Sequence, residues 1–136
     1  MIVGVGLDVV ELDRIERIMR QPFGARFAHK VLTPRERERL AALPPRRALE
    51  FIAGRFAAKE AVVKAFGCGI GAAAGFQDIE IVPDESGRPT CRLSEACWRR
   101  LGRRGDRHAV HVAITHERKL AASTAVVECL RPDQHP

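Results

Sequence analysis

The chain has 136 residues, 46% of them hydrophobic and 29% charged, with 23 Lys and Arg against 17 Asp and Glu for a formal net charge of +6. That length suits one domain with its own core, expected over 1–136, and the balance argues against both disorder and membrane insertion. No apolar run approaches the ~20 residues that a bilayer demands, and MIVGVGLDVV lacks the basic flank and cleavage site of a signal peptide, so a cytoplasmic protein with no membrane partner is expected. The excess positive charge points to an anionic partner, which by charge alone is a nucleic acid, a phosphate-rich small molecule, an acidic protein or a membrane surface.

Residues 2–10 alternate as a strand, with Val3, Val5, Leu7 and Val9 on one face and Gly4, Gly6 and Asp8 on the other. The apolar face is expected to be core. The glycine face is bare, open to another backbone or a ligand, with Asp8 at its end; the plainer reading has Asp8 capping the next helix. From about 11 to 20 the pattern is a basic amphipathic helix, Ile15, Ile18 and Met19 on one side and Arg14, Arg17 and Arg20 on another. Residues 23–45 form a mixed, basic connection holding one short helix, with Thr33 as N-cap and Pro34 at the first helical position.

The longest helix is expected at 47–66, followed by the glycine-rich CGIGAAAG, where Gly67 or Gly69 supplies a left-handed cap. Residues 76–82 read as a strand, PDESGRP as a turn and 90–93 as the returning strand, after which Ser94 caps a helix ending near Arg103. Residues 109–116 and 120–128 form an antiparallel hairpin, and 131–136 a frayed tail. Together these give an α+β fold: an antiparallel sheet packed against one long helix and shorter helices. Cys68, Cys91, Cys97 and Cys129 lack paired spacing and read as reduced structural thiols.

At roughly 100° per residue, Leu49, Ile52, Phe56 and Val63 fall in a narrow arc of the long helix, and Glu60 lies inside or beside it. An ordinary Glu60–Lys64 helix pair, worth ~0.2–0.5 kcal/mol, explains the spacing but not the burial. A carboxylate on an apolar stripe meets a cation, a metal or a proton. Asp8 is the second carboxylate at hand, and two acidic oxygens plus substrate phosphates suit octahedral magnesium. Alternation puts His111 on the opposite face from His108 and His116, which argues against a three-histidine metal site. His116, at a strand end, either meets an anionic ligand or faces solvent. The glycine-rich loop lacks the GK[ST] ending of a phosphate-binding loop, and the basic residues have no aromatic platform, Tyr being absent and Trp98 alone, so nucleic-acid binding is not expected.

GLDVVELDRI resembles the GxDxxxxxRI motif of the phosphopantetheinyl transferases, and FAAKEAVVKAFG their [FW]xxKEAxxKAxG motif, in the same order and separation. GFQDIEI, DESGRP and VHVAITH resemble the rest of the holo-acyl-carrier-protein synthase branch, so the likeness covers nearly the whole chain. The resemblance implies the 4′-phosphopantetheinyl transferase fold and transfer of phosphopantetheine from coenzyme A to a serine of an acidic acyl-carrier protein. It implies Asp8 and Glu60 as magnesium ligands, and Glu60 and Lys64 as the catalytic pair. Lys59, Arg55 and His116 are then the coenzyme-binding residues, Lys59 by helping to order the site and Arg55 and His116 by contacting coenzyme A phosphates. Arg14, the motif arginine, with Arg17 and Arg20 would dock the carrier, and a homotrimer with sites between chains is implied. Ala113 and Gly75 stand where serine is frequent, and Ser86 where asparagine is common. Two rivals remain, a metal-dependent phosphate or nucleotide transferase or hydrolase with the same Asp-Glu-Lys set, and a basic nucleic-acid-binding module. The second explains neither Glu60 nor the glycines beside Asp8.

Overall fold

The computed structural model describes residues 1–131, so the tail expected at 131–136 lies, apart from Arg131, outside the described residues. Along the chain run β1 (Ile2–Glu11), α1 (Leu12–Arg20), α2 (Gly24–Val31), α3 (Pro34–Ala41), α4 (Pro45–Ala65), β2 (Ile79–Pro83), β3 (Pro89–Leu93), α5 (Glu95–Arg100), β4 (His108–His116) and β5 (Leu120–Cys129). The strands form two antiparallel sheets, one ordered β1-β5-β4 and the other the hairpin β2-β3. The α+β reading holds.

The long helix α4 begins two residues before its expected start, because Pro45 occupies its first turn, where a missing N–H costs nothing. It is buried on most sides: Ala53, Ala57, Ala58, Ala61, Val62 and Val63 are all inaccessible. One cluster joins its C-terminal half to Ile79, Ile81, Ala125 and Val127; a second joins its N-terminal half to Val10, Leu12, Ile15, Val31 and Leu32. At its end Gly67 takes φ +77°, the left-handed conformation that closes a helix. The cysteines are free thiols, and burial pushes Cys91 up to about 12 and Cys97 up to about 11, so both are inert apolar filler.

Strand β1 corrects one expectation. Its valine face is outside: Val5, Leu7 and Val9 are 65%, 56% and 54% exposed, while Gly6 is buried. The glycines face α4 so closely that a Cβ on Gly4 would lie 1.8 Å from the Ala65 carbonyl oxygen, and one on Gly6 1.8 Å from that of Ala61. The bare face was thus made for another backbone, that of α4, and the apolar face is left open. Across the register, Val5, Leu7 and Val9 lie opposite Val126, Thr124 and Ala122 of β5, continuing to His111, Ala113 and Thr115 of β4.

Helix α2 lies within the segment expected as irregular connection, and residues 76–78 form a 3-10 turn ahead of β2 where strand was expected. Helix α5 ends at Arg100, three residues short of its expected end, with Gly102 at φ +69° turning the chain.

Candidate active site

The close seating of β1 on α4 brings Asp8 to the side of the helix that carries Glu60 and Lys64. Asp8 Oδ1 accepts from Lys64 Nζ at 2.9 Å, and the same ammonium donates to the Leu7 carbonyl at 3.1 Å. Glu60 is half-buried at the same seam. Burial first, and the nearby Asp8 carboxylate second, raise its pKa above the ordinary carboxylate range, while Lys64 and Arg14 act in the opposite direction. Two carboxylates crowded together and partly answered by one lysine form a site whose charge a further cation would balance. Hard oxygen donors of this kind suit magnesium, which takes one or two carboxylates and fills its shell with waters and phosphate oxygens.

Arg14 and Arg17 are exposed on α1, and Arg20 pairs with Glu16 on the same helix. Arg14 is the one of the three whose charge reaches Glu60, so the basic helix runs up to the carboxylates.

Arg55 is elsewhere. At roughly 100° per residue it lies about 180° around α4 from Lys64, and its Nε donates to the Ile81 carbonyl of β2 at 3.2 Å. Its guanidinium sits over the Phe51 ring, 4.3 Å from the centroid. Burial lowers its pKa, opposed by Glu36 and reinforced by Arg39. Beside it opens a cleft of about 560 Å³ lined by Arg35, Glu38, Arg39, Phe51, Val82 and Pro83. This charged, partly apolar hollow was not singled out in the sequence, because its residues come from three separate elements.

His116 is at the end of β4, where Nδ1 lies 3.3 Å from Glu50 Oε2, and Glu50 also holds Arg46. Asp8 lies two strands away from His116 across the sheet. His111 pairs with Glu128, and His108 Nδ1 meets the Arg104 carbonyl at 2.7 Å, so the histidines do not converge. Ser86 turns its hydroxyl onto Asp84 within its own turn, and Ala113 lies on the exposed sheet face.

Lys59 corrects a second expectation. Its side chain is wholly buried, held by Val31 O at 2.7 Å, Glu36 Oε1 at 2.6 Å and Phe76 O at 3.0 Å. It orders the elements around the site and does not face a ligand. Its partner Glu36, also fully buried, was missed in the sequence. The signal was the T-x-x-E spacing from Thr33, which the structure makes a capping box.

Residues 4–125 match the model of the 4′-phosphopantetheinyl transferase superfamily. A holo-[acyl-carrier-protein] synthase of Geobacillus kaustophilus is 46% identical over 132 residues, 97% of this chain and 93% of that protein. One of Bacillus subtilis is 45% identical over 96% of this chain and 98% of that protein. Among solved structures, the Bacillus anthracis holo-(acyl-carrier-protein) synthase in complex with coenzyme A (3′,5′-ADP) superposes with a TM-score of 0.80 at 40% identity, covering 95% of this chain and 98% of the other. The Neisseria meningitidis synthase gives 0.83 at 35% identity, covering 94% and 99%.

Proposed function

The chain belongs to the 4′-phosphopantetheinyl transferase superfamily, among its holo-[acyl-carrier-protein] synthases, and from that premise we propose how its residues divide the work. The reaction moves the phosphopantetheine arm of coenzyme A onto a serine of apo-acyl-carrier protein. The serine oxygen bonds to the phosphorus bearing the arm, the bond from that phosphorus to the bridging oxygen breaks, and 3′,5′-ADP leaves with that oxygen. The observation that carries the assignment of roles is the Asp8, Glu60 and Lys64 cluster at the β1–α4 seam.

Asp8 and Glu60 would hold magnesium, which when bound supplies positive charge to the pyrophosphate. Lys64, free to leave Asp8 for a phosphate oxygen, adds a second positive charge. Glu60 is the carboxylate that would take the serine proton, directly or through a water. Arg55 and the adjoining cleft receive the nucleotide end of coenzyme A, and His116 gives up Glu50 for a phosphate. Arg14, Arg17 and Arg20 steer and orient an acidic carrier.

Lys64 and Arg55 lie on opposite sides of α4, so neither half spans coenzyme A by itself. A neighbouring chain that supplies the missing half resolves this, and the open face of Val5, Leu7 and Val9 is apolar surface of the kind that meets a partner. The resemblance to the synthase branch gives the count of three chains, with one domain in each. The setting is the cytoplasm and carrier-based synthesis of fatty acids or polyketides, and no helix among the described residues is long and apolar enough to cross a membrane. Incubation with coenzyme A, magnesium and an apo-carrier should add one phosphopantetheine to the carrier by intact mass and release one 3′,5′-ADP. An unmodified carrier with free phosphopantetheine in solution would mean that water is the acceptor, as in a hydrolase.

A further inference from the structure

We infer that the buried Glu36–Lys59 pair is a positioning device for the Arg55 guanidinium, and so sets affinity at the nucleotide end of the site without touching the ligand. This rests on the reading of Arg55 as a phosphate contact.

Both side chains have no solvent exposure. Glu36 Oε1 accepts from the Thr33 N–H at 2.8 Å and from Lys59 Nζ at 2.6 Å, and Oε2 accepts from the Ile81 N–H at 2.8 Å. The ammonium spends its remaining donors on Val31 O and Phe76 O, so its hydrogen-bonding capacity is full. One ion pair therefore fastens the end of α2, the start of α3, the 3-10 turn and β2 to α4.

Arg55 lies one helical turn before Lys59, and its Nε donates to the carbonyl of the same Ile81 whose N–H is held by Glu36. Strand residue Ile81 is thus gripped from both ends, by Glu36 at its N–H and by Arg55 at its carbonyl. With Nε committed and the plane laid on Phe51, the guanidinium has one orientation, and its other donors are left for an anion. Glu36→Gln leaves one acceptor oxygen in place of two; with that oxygen kept on Lys59 and Thr33, the Ile81 N–H loses its acceptor and the carbonyl that aligns Arg55 loses its fixed place. Stability alone gives no reason for the pair, since apolar residues of similar volume often replace a buried ion pair at no loss.

The test measures the Kd for 3′,5′-ADP by calorimetry, and KM and kcat with coenzyme A, for Arg55→Ala, Glu36→Gln and the double variant, with circular dichroism as a check of folding. Arg55→Ala should weaken 3′,5′-ADP at least ~10-fold, the worth of a charge-assisted contact. Glu36→Gln should weaken it by about 5-fold or more and raise KM in step, with kcat at saturating coenzyme A unchanged, and the double variant should be no weaker than Arg55→Ala. Losses that multiply in the double variant, or a lower kcat with Kd unchanged, would overturn the inference and leave Arg55 its role. No effect of Arg55→Ala on Kd would overturn the reading of Arg55 and the inference together. If Glu36→Gln does not fold, Glu36→Asp, which keeps the charge opposite Lys59 but shortens the reach to Ile81, is judged by the same criteria.

Discussion

Glu60 is the residue on which the proposed chemistry turns: burial first, and the nearby Asp8 carboxylate second, raise its pKa and disfavour its charged form in the absence of a cation. Asp8→Ala and Glu60→Ala are each expected to cut magnesium-dependent transfer about 100-fold or more while leaving the circular dichroism spectrum unchanged, since each removes one of the two proposed magnesium ligands. A pH effect follows from the raised pKa. The folded state holds the Glu60 proton more tightly than the unfolded state, so this group's contribution to stability falls as pH rises from the ordinary carboxylate range through the raised value. In metal-free protein, Glu60→Gln should therefore gain stability over wild type as pH rises through that window, read as a widening difference in Tm. A constant difference across pH would contradict the assigned environment. Asp8 and Glu60 stood out in the sequence because spacing on one strand and one helix is a local property, while Lys64 read as an ordinary helix partner of Glu60 and took its site role from the resemblance. The burial of Lys59 was not, since its partners Val31, Glu36 and Phe76 come from other elements.

Strand β1 and helix α4 form the element pair that builds the carboxylate site, and their fit depends on two missing side chains. Gly4→Ala and Gly6→Ala would each drive a Cβ into a helix carbonyl, so each should destabilise by about 1–3 kcal/mol or more, measured by urea unfolding. Unchanged midpoints would mean that helix and strand do not meet this closely. Period-two alternation in β1 announced two unlike faces but not which one is inside. An apolar face reads as core by default, and only the tertiary seating of α4 on glycine reverses that. Helix α2 escaped notice for a related reason: Phe23 at its N-cap position makes no side-chain cap, so no local start signal exists. Thr33 and Ser94 do give such signals, and their helices were read from the sequence to within a few residues. For α1, exposed Arg14→Glu should lower kcat/KM for the carrier ~10-fold, about 1.4 kcal/mol, with Arg17→Glu smaller and coenzyme A affinity unchanged. Added salt should shrink that difference, because exposed charges are screened beyond ~10 Å at 0.1 M.

The whole molecule, taken as one chain, keeps the parts of its site separate: the carboxylates and Lys64 face β1, Arg55 faces β2, and the apolar sheet face stands open. Those features motivate the proposal of a closed ring of chains in which each neighbour would complete the other's site. Light scattering should accordingly report three chains per particle, and Val5→Lys with Leu7→Glu on the open face should lower both the mass and the activity. The most direct test combines Asp8→Ala and Arg55→Ala chains carrying different tags, isolated as mixed assemblies and assayed by intact mass of an apo-carrier with coenzyme A and magnesium. With coenzyme A held far below KM, each variant alone should lose about 10-fold or more of the wild-type activity. In mixed assemblies of three chains, about one site in three pairs the intact half of one chain with the intact half of the other, and activity should recover to about a third of wild type. Mixed assemblies as inactive as either variant, beside a fully active wild type, would place the whole site within one chain and contradict the account.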